Sequence, residues 1–360
     1  MHRPDMSRAA RLAAHGAVAT SLALCGEAGL RELLAAATPL GSGIGGKTLL
    51  LEVEGTPVFV KQVRLTDLER RPEHVHSTAN LFGVPSCCQY GIGCGPGVSA
   101  WRELAVHTMT TNWVIAGAHE GFPLTYHWRV LTDSGRPLPD ELADVEGTVG
   151  YWGGDAGVRR RITALQQSTA SLTLFLEYIP HTLHDWLVAQ FAAGDEAAGR
   201  ACAMVDRELE AATSFMTTRG LLHFDAHFHN VLTDGRRLYF ADYGLALSTR
   251  FDLTPGERGF HERHRGYDRS YTASYFVHWL VNALYGHPHG SPERHALVRA
   301  YAEGRHHPTG IPAPAAALLT RDASLSLTMW QFLHQLQHED PRTPYPFDAL
   351  RHTAPSANPL

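Results

Sequence analysis

Residues His223 to Asn230 read HFDAHFHN. The polar residues His223, Asp225, His227 and His229 fall at alternate positions, so an extended strand would show all four on one face, as a metal site requires. The same letters fit H-x-D-x-x-x-x-N, a loop in which Asp225 and Asn230 stand five residues apart as a candidate base and a candidate metal ligand. Upstream, Asp195 to Thr218 carries Cys202, Val205, Leu209, Ala212 and Met216 on one apolar stripe, which predicts a helix ended by Gly220. Downstream, RRLYFADYG predicts a strand that delivers Asp242, 12 residues past Asn230, with Gly244 as a flexible turn. The octapeptide then lies on a loop between helix and strand.

Far upstream, GSGIGGKT at Gly41 to Thr48 satisfies both G-x-x-x-x-G-K-T and G-x-G-x-x-G. A P-loop or a dinucleotide fingerprint must open a helix whose N-terminus faces the phosphates. Here LLLEVEGTPVFVK follows, with β-rich runs at Leu49 to Val53 and Val58 to Val63, so the glycines are expected at the entrance of a β-hairpin. The structural alternative is a flexible hairpin with no ligand. VFVK ends at Lys61, 15 residues after Gly46. An ammonium on a buried strand needs anionic partners. Nucleotide phosphates and a carboxylate would serve, and Glu103, on the predicted helix Ser99 to Val114 with Trp101, Leu104 and Thr108 on one face, is the chosen carboxylate. Glu69 is nearer in sequence and stands as the alternative.

Asp225, Asn230 and Asp242 make sense as a set. Phosphoryl transfer needs a carboxylate to accept the hydroxyl proton and oxygen ligands for the hard Mg²⁺ that bridges nucleotide phosphates. Asp225 is the candidate base; Asn230 and Asp242 are the candidate metal ligands. A histidine metal site would explain His223, Asp225, His227 and His229 but would leave Gly41 to Gly46, Lys61, Asn230 and DYG without a role.

The remaining chain sets bounds. With 360 residues it is long enough for two domains or one bilobal unit. A net charge of −5 and the lack of any Lys/Arg-rich tract give nucleic acid no electrostatic footing. The cysteines Cys25, Cys87, Cys88, Cys94 and Cys202 are sparse and odd in number, which points to a reducing, cytoplasmic setting, and C-C-x5-C is no zinc spacing. No apolar run has the length to cross a bilayer. The run Ala17 to Cys25 follows arginines as a signal peptide would, but large Leu24 stands where a small residue is needed and the pattern continues into GLRELLAAA, so residues 1–38 read as a helical extension of the fold. Thr66 to Val98 reads as a long polar connection, FPLTYHWRVL and SLTLFLEYIP as strands, HTLHDWLVAQF as a helix and Arg136 to Asp155 as loop, followed by a short basic helix near Val158 to Gln167. Beyond Arg258 the pattern is helical, notably over Asp268 to Leu284 and Ser324 to His338.

In this order, glycine turn, strand lysine, helix glutamate, H-x-D-x-x-x-x-N, then D-Y-G in place of D-F-G, the chain from Leu40 to Leu284 resembles the protein-kinase-like superfamily. The resemblance implies an α+β bilobal fold: a β-rich N-lobe over 39–179 with an insertion near 66–98, a mostly helical C-lobe over 180–360 carrying the catalytic loop and acceptor site, and an ATP cleft between them. It implies that Gly41, Ser42, Gly43, Gly45, Gly46 and Lys61 hold the triphosphate, that Glu103 orients Lys61, and that Glu177, Tyr178 and Ile179 form the hinge on the adenine. ATP and Mg²⁺ are the implied cofactors.

His227 bears on the acceptor. The D-A-H segment is similar to the H-G-D-x-H of aminoglycoside- and choline-kinase-like enzymes, although Phe224 replaces their glycine, and no A-P-E follows DYG. YDRSYTASYFVHWL is similar to a later helix of true protein kinases, with Asp268 able to brace the catalytic loop. The expectation is therefore a phosphotransferase acting on a hydroxyl of a small molecule, with the acceptor near Tyr267 to Tyr275; a protein Ser/Thr kinase and a pseudokinase binding module are the alternatives. The expected partners are the nucleotide and that acceptor, with no nucleic acid and no membrane. The sequence leaves open the acceptor's identity, ATP against GTP and the oligomeric state.

Overall fold

A computed structural model describes residues 6–43, 46–92, 95–133, 138, 140–288 and 290–353. The chain is a mixed α+β fold divided into two compact units, one formed by Met1–Pro180 with Tyr239–Arg258, the other by His181–Leu238 with Gly259–Leu360. The sequence reading placed all of 180–360 in the second body, yet the DYG segment and its continuation belong with the first.

In the first unit, α1 (Arg8–Leu24) and α2 (Glu27–Ala36) precede β1 (Thr38–Gly43), β2 (Gly46–Val53) and β3 (Thr56–Leu65). After them come α3 (Ala100–Ile115), β4 (Thr125–Thr132), α4 (Asp140–Ala143), α5 (Val145–Tyr151), α6 (Ala156–Gln166) and β5 (Ala170–Glu177). The strands form one antiparallel sheet in the order β1-β2-β3-β5-β4. The apolar run of β5 is buried along its whole length, as a strand with neighbours on both edges and cover on both faces must be. The glycines stand before the β2–β3 hairpin, as expected, and β1 adds a further strand: TPLGSG forms a strand despite its composition because it pairs from Thr38↔Leu50 to Gly43↔Gly46.

Two stretches read as connections are structured. Phe82, Val84, Cys88 and Val98 from the 66–98 segment pack with Leu142, Val149, Trp152, Val158, Ile162 and Leu165 from α4 to α6 into a separate core. That core makes helices of the 140–151 region, where glycines and acidic residues had suggested loop. Asp144 and Asp155 are the N-caps, accepting from Gly147 N–H at 2.8 Å and from Gly157 and Val158 N–H at 2.8 and 3.1 Å. Within the apolar run at 17–25, Val18 and Leu22 of α1 are buried while Leu24 is exposed. Among the described residues no helix is long and apolar enough to cross a membrane, and Cys25 and Cys202 are free thiols. Cys94 lies outside the described residues.

The second unit is built on α7 (Leu183–Ala192), α8 (Asp195–Thr218), α10 (Tyr267–Tyr285), α11 (Pro292–Ala302), α12 (Ala313–His338) and α13 (Phe347–Thr353), with α9 (Pro255–Arg263) running into it from the first. The α8 stripe of Cys202, Val205, Leu209, Ala212 and Met216 is buried, and Gly220 at φ 69° ends the helix in the left-handed region. Arg321 of α12 forks onto Asp206 of α8 at 2.7 and 3.0 Å, and the Ser274 and Ser326 hydroxyls meet at 3.2 Å between α10 and α12.

Gly46 at φ 117° has no room for a side chain: a Cβ would come within 2.3 Å of the Gln62 carbonyl oxygen on β3. Gly55 at φ 69° faces open space. Gly46→Ala should therefore lower stability in urea by at least about 3 kcal/mol, and Gly55→Ala by only about 1 kcal/mol. Equal losses would contradict the close approach of β2 to β3 at Gly46.

Candidate functional site

The first unit assembles its charged residues around Lys61. The alternation of β3 puts Lys61 on the face of Phe59, Val63 and Leu65, which packs against Ala100, Trp101 and Leu104 of α3, and its register sets it opposite Thr48 on β2 and Leu174 on β5. This register sets Lys61 one pair from Lys47↔Gln62, and hence next to the glycine turn. Gly41 and Gly46 flank that turn, Ser42 and Gly43 continue the β1 backbone, and Gly45 lies outside the described residues. β2 follows the glycines directly, so the G-K-T match opens no helix.

The Lys61 ammonium donates to Glu103 Oε1 and to Asp242 Oδ1, each at 2.7 Å. The Lys61 and Glu103 side chains are 5% and 3% exposed, whereas Asp242 is 38% exposed. Burial alone would lower the lysine pKa; Asp242 and then Glu103 outweigh it and hold the ammonium above its ordinary range. One cation against two carboxylates leaves this cluster with a formal charge of −1 if all three are ionised.

Glu69, the alternative partner, has another task. Its carboxylate accepts from Ala100 N–H at 3.0 Å, at the first turn of α3, and from Arg161 Nη1 at 2.8 Å and Thr66 Oγ1 at 2.8 Å. A carboxylate at a helix N-terminus is favourable. Glu69 thereby fixes the helix that carries Glu103. That helix is buried nearly all round, including Arg102, Val106, His107 and Thr110, while Thr108, assigned to its inner face with Trp101 and Leu104, is exposed. Arg102 went unnoticed in the sequence. It donates to Glu257 Oε1 at 2.8 Å and Thr78 carbonyl at 2.7 Å, tying α3 to the segment that follows DYG.

Asp242 has φ 62°, an uncommon conformation for a non-glycine residue. Tyr243 holds the turn: its hydroxyl donates to the Phe240 carbonyl at 2.5 Å and its ring meets His107 edge-on at 4.8 Å. Of the residues assigned to the hinge, Ile179 is buried and Tyr178 half-buried. The Glu177 carboxylate is occupied within the protein by Arg11 and the Leu124 N–H.

In the second unit HFDAHFHN is no strand. Phe224, Ala226 and Phe228 point inward while Asp225 and His227 are half-buried and His229 exposed; His223 is fully buried, so the four polar residues do not share a face. Phe224, at φ 65°, packs on Phe260 and Tyr267, and Phe228 on Tyr275 and Phe276. These two rings anchor the loop. Its backbone is braced by Asp268, whose Oδ2 and Oδ1 accept from His223 and Phe224 N–H at 2.7 and 2.8 Å. Asn230 Nδ2 donates to the Asp225 carbonyl and to Asp225 Oδ2, both at 3.0 Å, which fixes the base candidate and orients the amide. His227 Nε2 lies 3.7 Å from Asp225 Oδ1. His184 and His229 stack at 4.6 Å; burial and then His184 lower the His229 pKa.

No family model matches the chain, and no curated protein matches it in sequence. The case for a function rests on these two residue clusters.

Removing Lys61 would strand a buried Glu103, so Lys61→Met should cost about 3–5 kcal/mol in urea unfolding, and Lys61→Met with Glu103→Leu should recover most of it. A double variant no more stable than the single would contradict the pairing. Burial raises the Asp268 pKa to about 6, with the two N–H donors opposing the rise. Folded Asp268 thus holds its proton more tightly than the unfolded chain does, and its contribution to stability is lost as pH rises from about 4 to about 6, by up to about 3 kcal/mol. Unfolding curves from pH 4 to 7 should show this slope flattened in Asp268→Asn. His264, whose pKa burial lowers to about 4, contributes the opposite slope and cancels in the difference. Parallel curves for the two proteins would contradict the shift.

Proposed function

We propose that this chain is an ATP-dependent phosphotransferase of the protein-kinase-like superfamily, with a bilobal fold, that moves the γ-phosphoryl group to a hydroxyl of a small molecule. The observation that carries the reading is one buried ammonium that donates hydrogen bonds to both Glu103 and Asp242, next to the glycine run. A lysine fixed in this way is an oriented cation for phosphate oxygens, and Glu103 keeps it from turning away.

The other roles follow from the chemistry of each residue. Asp225 accepts the proton of the attacking hydroxyl; Asn230 and Asp268 hold its loop in one conformation. The Asp242 carboxylate and the Asn230 amide oxygen are hard donors of the kind Mg²⁺ takes, and fit it better than imidazole would. Mg²⁺ held by such oxygen donors would neutralise charge on the nucleotide phosphates. Rate enhancement in this reading comes from positioning and electrostatics, since phosphoryl transfer asks little covalent help of the protein. The D-A-H segment, similar to that of aminoglycoside- and choline-kinase-like enzymes, and the lack of A-P-E after DYG support a small acceptor over a peptide.

The test is transfer from labelled ATP with Mg²⁺ to a panel of hydroxyl-bearing metabolites, run beside a peptide library. Asp225→Asn should lower kcat by roughly 10²–10⁴ with little change in the KM for ATP. Asp242→Asn should abolish Mg²⁺-dependent turnover. Transfer to peptides alone would select the protein-kinase reading, and undiminished turnover in both variants would contradict the assignments.

A further inference from the structure

The N-terminal helix brings a charged side chain to the strand end that the phosphotransferase reading assigns to the nucleotide base. Arg11, Val18 and Leu22 lie on one face of α1, all buried, so an arginine occupies a position in an apolar stripe. Burying a guanidinium is costly unless its donors are answered. Nε and Nη2 fork onto Glu177 Oε1 and Oε2 at 2.8 Å each, Nη2 also reaches the Phe122 carbonyl at 2.6 Å, and Nη1 reaches the Glu120 carbonyl at 3.0 Å. The guanidinium carbon lies 5.1 Å from the centre of the Tyr239 ring. Burial alone would lower its pKa, and Glu177 more than offsets that.

Glu177 is held from the other side as well. It accepts from Leu124 N–H at 2.9 Å and donates its own N–H to the Leu124 carbonyl at 2.8 Å. Tyr178 and Ile179 therefore leave β5 from a residue fixed through both side chain and backbone. One turn before Arg11, Arg8 donates to the Val114 and Ile115 carbonyls at 3.2 and 2.5 Å, at the C-terminal end of α3. The start of α1 thus grips two elements of the first unit: the end of β5 and the helix that bears Glu103.

We infer that Arg11 is a positioning residue for the nucleotide base: by locking Glu177 it sets the backbone of Tyr178 and Ile179, and it makes α1 part of the nucleotide site. This rests on the phosphotransferase reading. Arg11 touches no phosphate in this account, so its loss should weaken recognition of the base and leave recognition of the phosphates unchanged.

The experiment compares binding of ATP with binding of inorganic tripolyphosphate, which carries the charge without a base, both with Mg²⁺ and by calorimetry. The proteins are wild type, Arg11→Met, and Arg11→Met with Glu177→Met. The double variant exchanges the ion pair for apolar side chains of similar length, and so preserves the fold where the single variant strands a buried carboxylate. In the double variant the Kd for ATP should rise at least about tenfold while the Kd for tripolyphosphate stays in place. An unchanged ratio of the two affinities overturns the inference and leaves the phosphotransferase reading standing, as does an equal loss of both ligands. A wild-type protein that binds ATP no more tightly than tripolyphosphate removes the base site itself, and the inference with it.

Discussion

A buried ammonium must be neutralised where it stands, and the first unit is organised by that requirement. Lys61 sits on an inner strand, so its partners have to come from other elements: Glu103 from a helix 42 residues further along the sequence and Asp242 from a turn 181 residues away. Each donor element is then fixed in its own right. Glu69 and Ser99 hold the start of α3, Arg102 ties it to Glu257, and Tyr243 pins the turn at Asp242 to the Phe240 carbonyl. The strained backbone at Asp242 fits this picture, since a left-handed aspartate persists only where its surroundings over-determine it.

The second unit solves a different problem, which is to hold a short polar loop still without a strand or helix to carry it. Alternate residues do this: Phe224 and Phe228 are rings set into the helical core, and Asp268 collects the two N–H groups that a strand partner would otherwise take. Asp225, His227 and His229 are left on the less buried side. The alternation that suggests a metal strand in the sequence is thus real, but it separates anchors from outward groups within a loop.

Much of this was legible because it depends on local rules. The apolar run VFVK placed Lys61 on a strand, the 3.6-residue stripe marked α8, Gly220 ended it, and the β-run after Gly46 separated a hairpin from a P-loop. Asp268 could be named as the brace from its place in YDRSYTASYFVHWL. The choice of Glu103 over Glu69 could not be settled locally, because it depends on how 66–98 folds; part of that segment joins α4 to α6 in a separate core, while Glu69 and Thr78 are held against α3, which leaves Glu103 to meet Lys61. The Arg11–Glu177 and Arg102–Glu257 pairs were missed because their partners lie 166 and 155 residues apart. A signal existed for Arg11, an arginine in phase with Val18 and Leu22, but in sequence it reads only as one of the arginines that precede the apolar run at 17–25.

The most direct test of the central claim, that the Lys61, Glu103 and Asp242 cluster receives a metal-bound nucleotide, is a calorimetric titration of the intact protein with ATP, in Mg²⁺ and again in chelator. The account predicts that ATP binds and that Mg²⁺ tightens it by roughly tenfold or more. Failure to bind ATP, or an affinity indifferent to Mg²⁺, would contradict it.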